Sequence, residues 1–369
     1  MIKEYPNNLK LKQLRAAYKK RKGKELTYNK IAEICCYKES SIKKWGMISD
    51  KQVKMPDRAL KPLLEYFSQM GLDDVYVSSR QLEKQKEVIE YIKKKIKKYN
   101  FTETPIVAFV NQKGGVTKTS MTYTFAKILA KADYKVLLID NDPQGNLTYT
   151  VTGESYYEGS STTKSLYYKK HENLLKRSKS INQKLIDIPF EVNKKLFVYG
   201  ANDDLAPVQK EDQAKSFNFK SNVKELSKDF DFVLIDTLPS ISLQFYSSVI
   251  ACNYSIIPIT ANEYSLQGLA RLIDTLVEIS ESGMSDFTTL GMIFNIVEKH
   301  TIEYKQLSKE VKKHYPGFPF KSEIPKCVTM NKTIKPHGKD ITDYDLHGSC
   351  SEAFISACKE MIEKIRKGA

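Results

Sequence analysis

The stretch Asn111-Gln112-Lys113-Gly114-Gly115-Val116-Thr117-Lys118-Thr119-Ser120 decides how this chain is read. Before it runs Pro105-Ile106-Val107-Ala108-Phe109-Val110, an apolar run of strand length, which predicts a buried strand. After it comes Met121-Thr122-Tyr123-Thr124-Phe125-Ala126-Lys127-Ile128-Leu129-Ala130, which predicts a helix. Strand, glycine-containing loop, Lys-Thr and helix together make the setting of a phosphate-binding loop. The N–H groups of such a loop and of the helix N-terminus converge on an anion. Lys118 then reaches the terminal phosphates, the Thr119 hydroxyl ligates Mg²⁺, and Lys113 through Ser120 are the candidate nucleotide-binding residues. A chance Gly-Gly turn in a Lys-rich chain is the plain alternative, and it leaves the flanking strand and helix unexplained.

The usual spacing of this loop asks for a glycine at the two positions where Gln112 and Thr117 stand. A second pattern fits better: Lys113-Gly114-Gly115-x-x-Lys118-Thr119, with a lysine at each end of the loop. Thr117 is β-branched and accommodates positive φ poorly, so a binding-competent loop is expected to hold it in the right-handed α region.

Working outward, Lys135-Val136-Leu137-Leu138-Ile139-Asp140 reads as a second strand running into Asn141-Asp142-Pro143-Gln144-Gly145-Asn146-Leu147-Thr148. Asp140 and Asp142 thus leave the carboxyl end of a buried strand, where α/β sheets place ligands. An Asp-Asn-Asp-Pro run alone would be an ordinary turn. Phe230-Asp231-Phe232-Val233-Leu234-Ile235-Asp236 is a third apolar strand ending in a carboxylate, suited to hold Mg²⁺ through water. Leu196–Tyr199, Ser255–Thr260 and Leu290–Asn295 read as further strands. Strands alternating with helices from 105 onward predict an α/β fold with a mostly parallel, doubly wound sheet. Residues 151–195 are polar and rich in Ser, Tyr and Lys, and carry no assignable chemistry.

These motifs, in this order over about residues 104–369, resemble the ParA/Soj/MinD family of P-loop ATPases with a deviant Walker A box. The loop matches that box, except that the family usually has Gly where Thr117 stands. Asp140–Asn146 matches the Walker A′ box, and Asp236-Thr237-Leu238-Pro239-Ser240 matches Walker B with Leu238 for one Pro. The resemblance implies ATP/ADP with Mg²⁺, Lys113 reaching across a homodimer to the partner's nucleotide, Asp142 positioning the attacking water and Asp140 supporting the metal site. It further implies Asn295 near the adenine, Pro325 lining the base, the blocks Glu323–Lys326 and Gly338–Asp345, and a last helix, Ser351–Arg366, over the sheet.

The chain carries +15 formal charge, and its distribution is uneven. Residues 1–100 hold 25 Lys/Arg against 12 Asp/Glu, so almost the whole excess sits there. Such a segment points to a polyanion, nucleic acid above all. Within it, residues 8–22 read as an amphipathic helix, Thr27 as the N-cap of a helix over Tyr28–Ile34, and Glu39–Trp45 as a second helix after a four-residue turn. That is helix-turn-helix spacing, with Ala32, Ile34, Ile42 and Trp45 inward and Ser40, Ser41, Lys43 and Lys44 outward as DNA contacts. With Pro56 and Leu60–Phe67 it resembles phage-repressor-like domains. Residues 79–99, with Leu82, Ile89, Ile92 and Ile96 at helical spacing, read as one long helix that links or dimerises. The expected division is 1–78 for DNA binding, 79–100 for that helix and 101–369 for the ATPase.

The polar N-terminus and scattered cysteines predict a cytoplasmic protein, no apolar run is long enough to span a membrane, and the resemblance implies association with the nucleoid. The resemblance is to the longer partition ATPases, which imply a ParB-like centromere-binding partner, sequence-indifferent DNA binding with ATP, operator binding through the N-terminal domain, and slow turnover. A nucleotide-regulated repressor is the alternative from another class. The stretch Glu363–Ala369 is no separate apolar anchor, which makes a membrane ATPase the weaker expectation, and Cys252 and Cys327 stand in no cluster-binding context, which sets aside an iron–sulfur reductase.

Overall fold

The structure is a computed structural model, and it describes residues 27–35, 79–153, 162–168, 189–261, 266–333 and 339–368. The chain divides into two compact units, Met1–Glu87 and Val88–Ala369.

In the first unit, helix α1 spans Tyr28–Cys35. Thr27 caps it as expected, its hydroxyl accepting the Lys30 N–H at 3.2 Å. Ile31 and Ala32 are buried. The expected helices over 8–22 and Glu39–Trp45, and the segment from Pro56 to Phe67, lie outside the described residues.

Helix α2, Ser79–Lys95, crosses the division. From Val88 onward it belongs to the second unit, where Val88, Ile92 and Ile96 are 2, 0 and 2 % exposed inside the core. The Tyr91 hydroxyl bonds the Glu352 carboxylate, Lys95 pairs with the same carboxylate at 3.6 Å, and the Tyr91 ring meets His347 edge-on at 4.9 Å. Of the apolar positions read from the sequence, Ile92 and Ile96 thus pack within the chain beside Val88, and Ile89 stays outside.

The second unit is built on a seven-stranded sheet: β1 Ile106–Phe109, β2 Val136–Asn141, β3 Phe190–Asn193, β4 Leu196–Tyr199, β5 Phe232–Thr237, β6 Tyr254–Thr260 and β7 Thr288–Asn295. Their order is β3-β4-β2-β5-β1-β6-β7, parallel throughout except for β3 at one edge. Both faces are covered, which is why the central strands read as unbroken apolar runs. Val107, Phe109, Val136, Leu138 and Leu234 enter one core with α3 (Lys118–Lys131) and the final helix. Ile106, Ala108, Leu137, Ile139 and Val233 enter the other, packing on α6 (Ala214–Ser227), α7 (Leu243–Ala251), α8 (Leu266–Glu281) and α9 (Ile302–His314). Among the described residues between β2 and β3 are two short helices, α4 (Asn146–Thr152) and α5 (Ser165–Tyr168). The final helix, α10, spans Ser349–Arg366 and covers the sheet as expected. Among the described residues, no helix is long and apolar enough to cross a membrane.

Candidate functional site: a phosphate loop facing buried carboxylates

Every strand that carries a motif ends on the same edge of the sheet. The loop 110–117 leaves the end of β1, and α3 starts at Lys118, so the helix N-terminus faces the loop. Asn111 holds the loop entrance from both sides. Its Nδ2 donates to the Pro258 carbonyl at 2.7 Å, and its Oδ1 accepts the Lys113 N–H at 3.0 Å. Gln112, standing where ordinary loops have Gly, reaches Thr275 on α8 at 3.4 Å. Lys113, Gly114 and Gly115 are exposed, whereas Val116 and Ser120 are buried. Lys118 is also buried, and its ammonium donates to the Lys113 carbonyl at 3.0 Å across the loop mouth. Burial pulls that ammonium down from its ordinary pKa, while Asp236 and Asp142 act against the fall.

Thr117 corrects the expectation from sequence. It stands at φ 63, ψ 32, in the left-handed region and not the right-handed one. The loop turns back into the helix at this residue, and its hydroxyl supplies the tether. It donates to the Val116 carbonyl at 2.6 Å and accepts from the Asn295 amide, so it does not cap α3. Asn295, at the end of β7, is thus brought to the loop itself. Pro325 pairs with Val297 two residues beyond, in an isolated parallel bridge.

The carboxylates come from β2 and β5, which are neighbours. Asp140 pairs in register with Asp236, and Phe109 of β1 pairs with Asp236 from the other side. Both aspartates are fully buried. Asp140 is clasped by Thr148, whose N–H and hydroxyl reach it at 2.8 and 2.6 Å. Even so, burial raises its carboxyl to about 7. Asp236 has no hydrogen-bond partner for either oxygen among the described residues. Burial, with Asp140 adding to it, pushes its carboxyl up to about 8, against the pull of the Thr119 hydroxyl beside it and of Lys118. A fully buried carboxylate with both oxygens free is costly unless a cation or its hydration shell serves it. Beside a Thr hydroxyl and a lysine, these groups fit a hydrated Mg²⁺. Asp142 is mostly buried, accepts the Gln144 N–H at 3.0 Å, and is raised by burial against that bond and Lys118.

Sequence reasoning missed two groups that hold this edge. Thr148 ties Asp140 to the segment that follows β4, because its hydroxyl also accepts the Ala201 N–H at 2.7 Å. That approach needs Gly145, at φ 64, where a Cβ would lie 2.8 Å from the Ala201 carbonyl oxygen. Tyr167, from the polar stretch that carried no assignment, donates to Asn141 Oδ1 at 3.0 Å. The Asn141 amide also reaches the Gln244 carbonyl at 2.9 Å and Ser248 at 2.8 Å, locking the residue between the two aspartates onto α7. The DNA-contact candidates Ser40, Ser41, Lys43 and Lys44 lie outside the described residues.

Comparison with known proteins agrees with this geometry. Residues 104–289 match the family described as AAA domain. An uncharacterised protein of Methanocaldococcus jannaschii is 29 % identical over 266 residues, 71 % of this chain and 99 % of that protein. The chromosome-partitioning ATPase Soj of Treponema pallidum is 28 % identical over 259 residues, 70 % of this chain and 97 % of Soj. The ATP complex of a Cyanothece McdA variant superposes with a TM-score of 0.59 at 20 % identity, covering 71 % of this chain and 98 % of that one, a likeness of fold. The chain belongs to the AAA-domain family of P-loop ATPases, on its ParA/Soj/MinD branch.

Proposed function

We propose that this chain is a slow, Mg²⁺-dependent ATPase of DNA partition that works as an ATP-linked homodimer. The observation that carries the nucleotide reading is Asp236, buried with no hydrogen-bond partner for either oxygen among the described residues, beside Thr119 and Lys118 at the mouth of the phosphate loop. Thr119 would ligate the ion and Asp236 would hold its water. The ion, when bound, neutralises phosphate charge. Lys118, donating to a loop carbonyl in this structure, has its ammonium placed to turn to the terminal phosphates. Asp142 would orient the attacking water, with Asp140 and Thr148 fixing the strand end behind it. Lys113 is exposed at the loop tip, which suits a role on a second subunit's nucleotide.

Partition as the task rests on the likeness to Soj. It brings sequence-indifferent DNA binding by the ATP-bound dimer on the nucleoid, and stimulation by a ParB-like centromere-binding protein. The basic segment 1–100 would read an operator through Ser40, Ser41, Lys43 and Lys44 and repress the chain's own operon. The test measures ATP hydrolysis with and without Mg²⁺, and DNA binding by the full chain with and without ATP. ATP-dependent binding to unrelated DNA, lost in Lys118→Ala, supports partition. One tight operator and indifference to ATP on other DNA would replace it with a nucleotide-regulated repressor. Footprints on the chain's own upstream region that survive deletion of residues 1–72 would place the operator reader elsewhere.

A further inference from the structure

Thr117 and Ile296 are both β-branched, both at positive φ (63 and 53), and the Asn295 side chain joins them. Its Oδ1 accepts the Ile296 N–H at 2.9 Å, and its Nδ2 donates to the Thr117 hydroxyl. Asn295 is 1 % exposed, so releasing either bond leaves a buried polar group unpaired. The Thr117 hydroxyl is engaged twice, since it also donates to the Val116 carbonyl.

The backbone at 117 matters because α3 begins at the next residue. A left-handed residue followed by a right-handed one turns successive N–H groups to one side, forming an anion-binding concavity. Gly115, also at positive φ, adopts its conformation without strain. Thr117 does not, and left to itself it relaxes toward negative φ and swings those N–H groups apart.

We propose that Asn295 is a positioning residue for the phosphate loop: by holding the Thr117 hydroxyl it keeps residue 117 left-handed and the loop N–H groups converged on a phosphate. The strained threonine and the buried amide act as one unit, and Asn295 acts on the phosphates through residue 117. This rests on the nucleotide reading given above.

The test measures MgATP affinity by titration calorimetry for full-length Thr117→Val, Thr117→Gly, Thr117→Ser, Asn295→Ala and the double variant that combines Thr117→Gly with Asn295→Ala. Valine keeps the branching and loses the hydroxyl, so the competent loop becomes a minor population and affinity falls about tenfold. Serine restores the hydroxyl and recovers most of that loss, and the glycine variant binds more tightly than the valine variant. Asn295→Ala weakens binding about tenfold when Thr117 is intact and no more than about threefold in the Thr117→Gly background. An equal loss in both backgrounds would mean that Asn295 meets the ligand directly, and it overturns the proposal. So does a valine variant that binds as tightly as the glycine one, a comparison that decides the matter even if Asn295→Ala does not fold. Wild-type protein that binds no MgATP would instead overturn the nucleotide reading, and this inference with it. Melting of the nucleotide-free variants checks the tether by itself: without coupling between 117 and 295 there, the unit does not exist.

Discussion

Asp140 and Asp236 stand opposite one another in register at the ends of neighbouring parallel strands, both fully buried, and among the described residues only Asp140 has hydrogen-bond partners. The asymmetry separates their work. Asp140 is held by Thr148 and shapes the edge, while Asp236 presents two free acceptor oxygens to whatever enters the loop mouth.

Asp236→Asn should stabilise the nucleotide-free protein in a pH-dependent way. Burial raises Asp236 to about 8 in the folded state, against about 3.9 in an unfolded chain. The folded state therefore holds the proton more tightly, and wild-type stability falls as pH climbs from the unfolded value toward the folded one. Asparagine keeps the shape without the ionisation. Thermal unfolding should show the variant melting well above wild type at about pH 8 and close to it only near about pH 4, where the unfolded-state carboxyl also holds its proton. Mg²⁺ with ATP should no longer raise its melting point. A variant that melts lower at pH 8 contradicts the assignment.

The two loop lysines should separate. Lys118 is buried with its ammonium at the loop mouth, whereas Lys113 is exposed. Lys118→Ala should weaken ATP binding by about a hundredfold or more, as loss of a buried charge-assisted contact does. Lys113→Ala should bind ATP as a monomer and fail to form the ATP-linked dimer. Titration and sedimentation decide it, and normal dimerisation by Lys113→Ala would remove the cross-subunit role.

Asp142→Ala should keep ATP and Mg²⁺ and lose about 10²–10⁴-fold in hydrolysis, the range for a positioned acid–base group. Turnover within a few-fold of wild type would refute that role. Tyr167→Phe removes one bond to Asn141, the residue between the two aspartates. Its hydrolysis should drop by a smaller factor, roughly tenfold or less, with ATP affinity nearly unchanged.

Deleting residues 1–87 should leave a folded ATPase unit, and deleting 1–100 should not. Val88, Ile92 and Ile96 fill the core together with residues of α3 and α10. Each buried aliphatic side chain contributes about 1.5–3 kcal/mol, a large part of a typical domain's net stability. Melting curves of the 88–369 and 101–369 fragments check this; equal melting points would show the helix to be dispensable.

The ATPase fold was legible because each of its signals is local. Ile106–Phe109, Val136–Asn141 and Phe232–Thr237 are short apolar runs ending at motif residues, and strands buried on both faces require such runs. Sites that gather at strand ends can be read strand by strand, and Lys118, Asp142 and Asp236 do meet on one edge. The stretch around Tyr167 was illegible because its bond to Asn141 joins positions 26 residues apart, with no periodicity to announce it.

From the sequence alone followed the order of motifs, the α/β class, and the chemistry that a loop with two lysines and three following aspartates can support. Only the tertiary structure decided which groups have partners. It placed Thr117 in the left-handed region, because Asn295, 178 positions away, offers its hydroxyl a buried partner. It turned the apolar side of α2 into core, because α3 and α10 cover it. And it left both Asp236 oxygens without a hydrogen-bond partner among the described residues, while Thr148 holds the neighbouring Asp140. Local pattern encodes where a residue lies along an element; hydrogen-bond satisfaction and backbone strain depend on atoms brought together from distant parts of the chain.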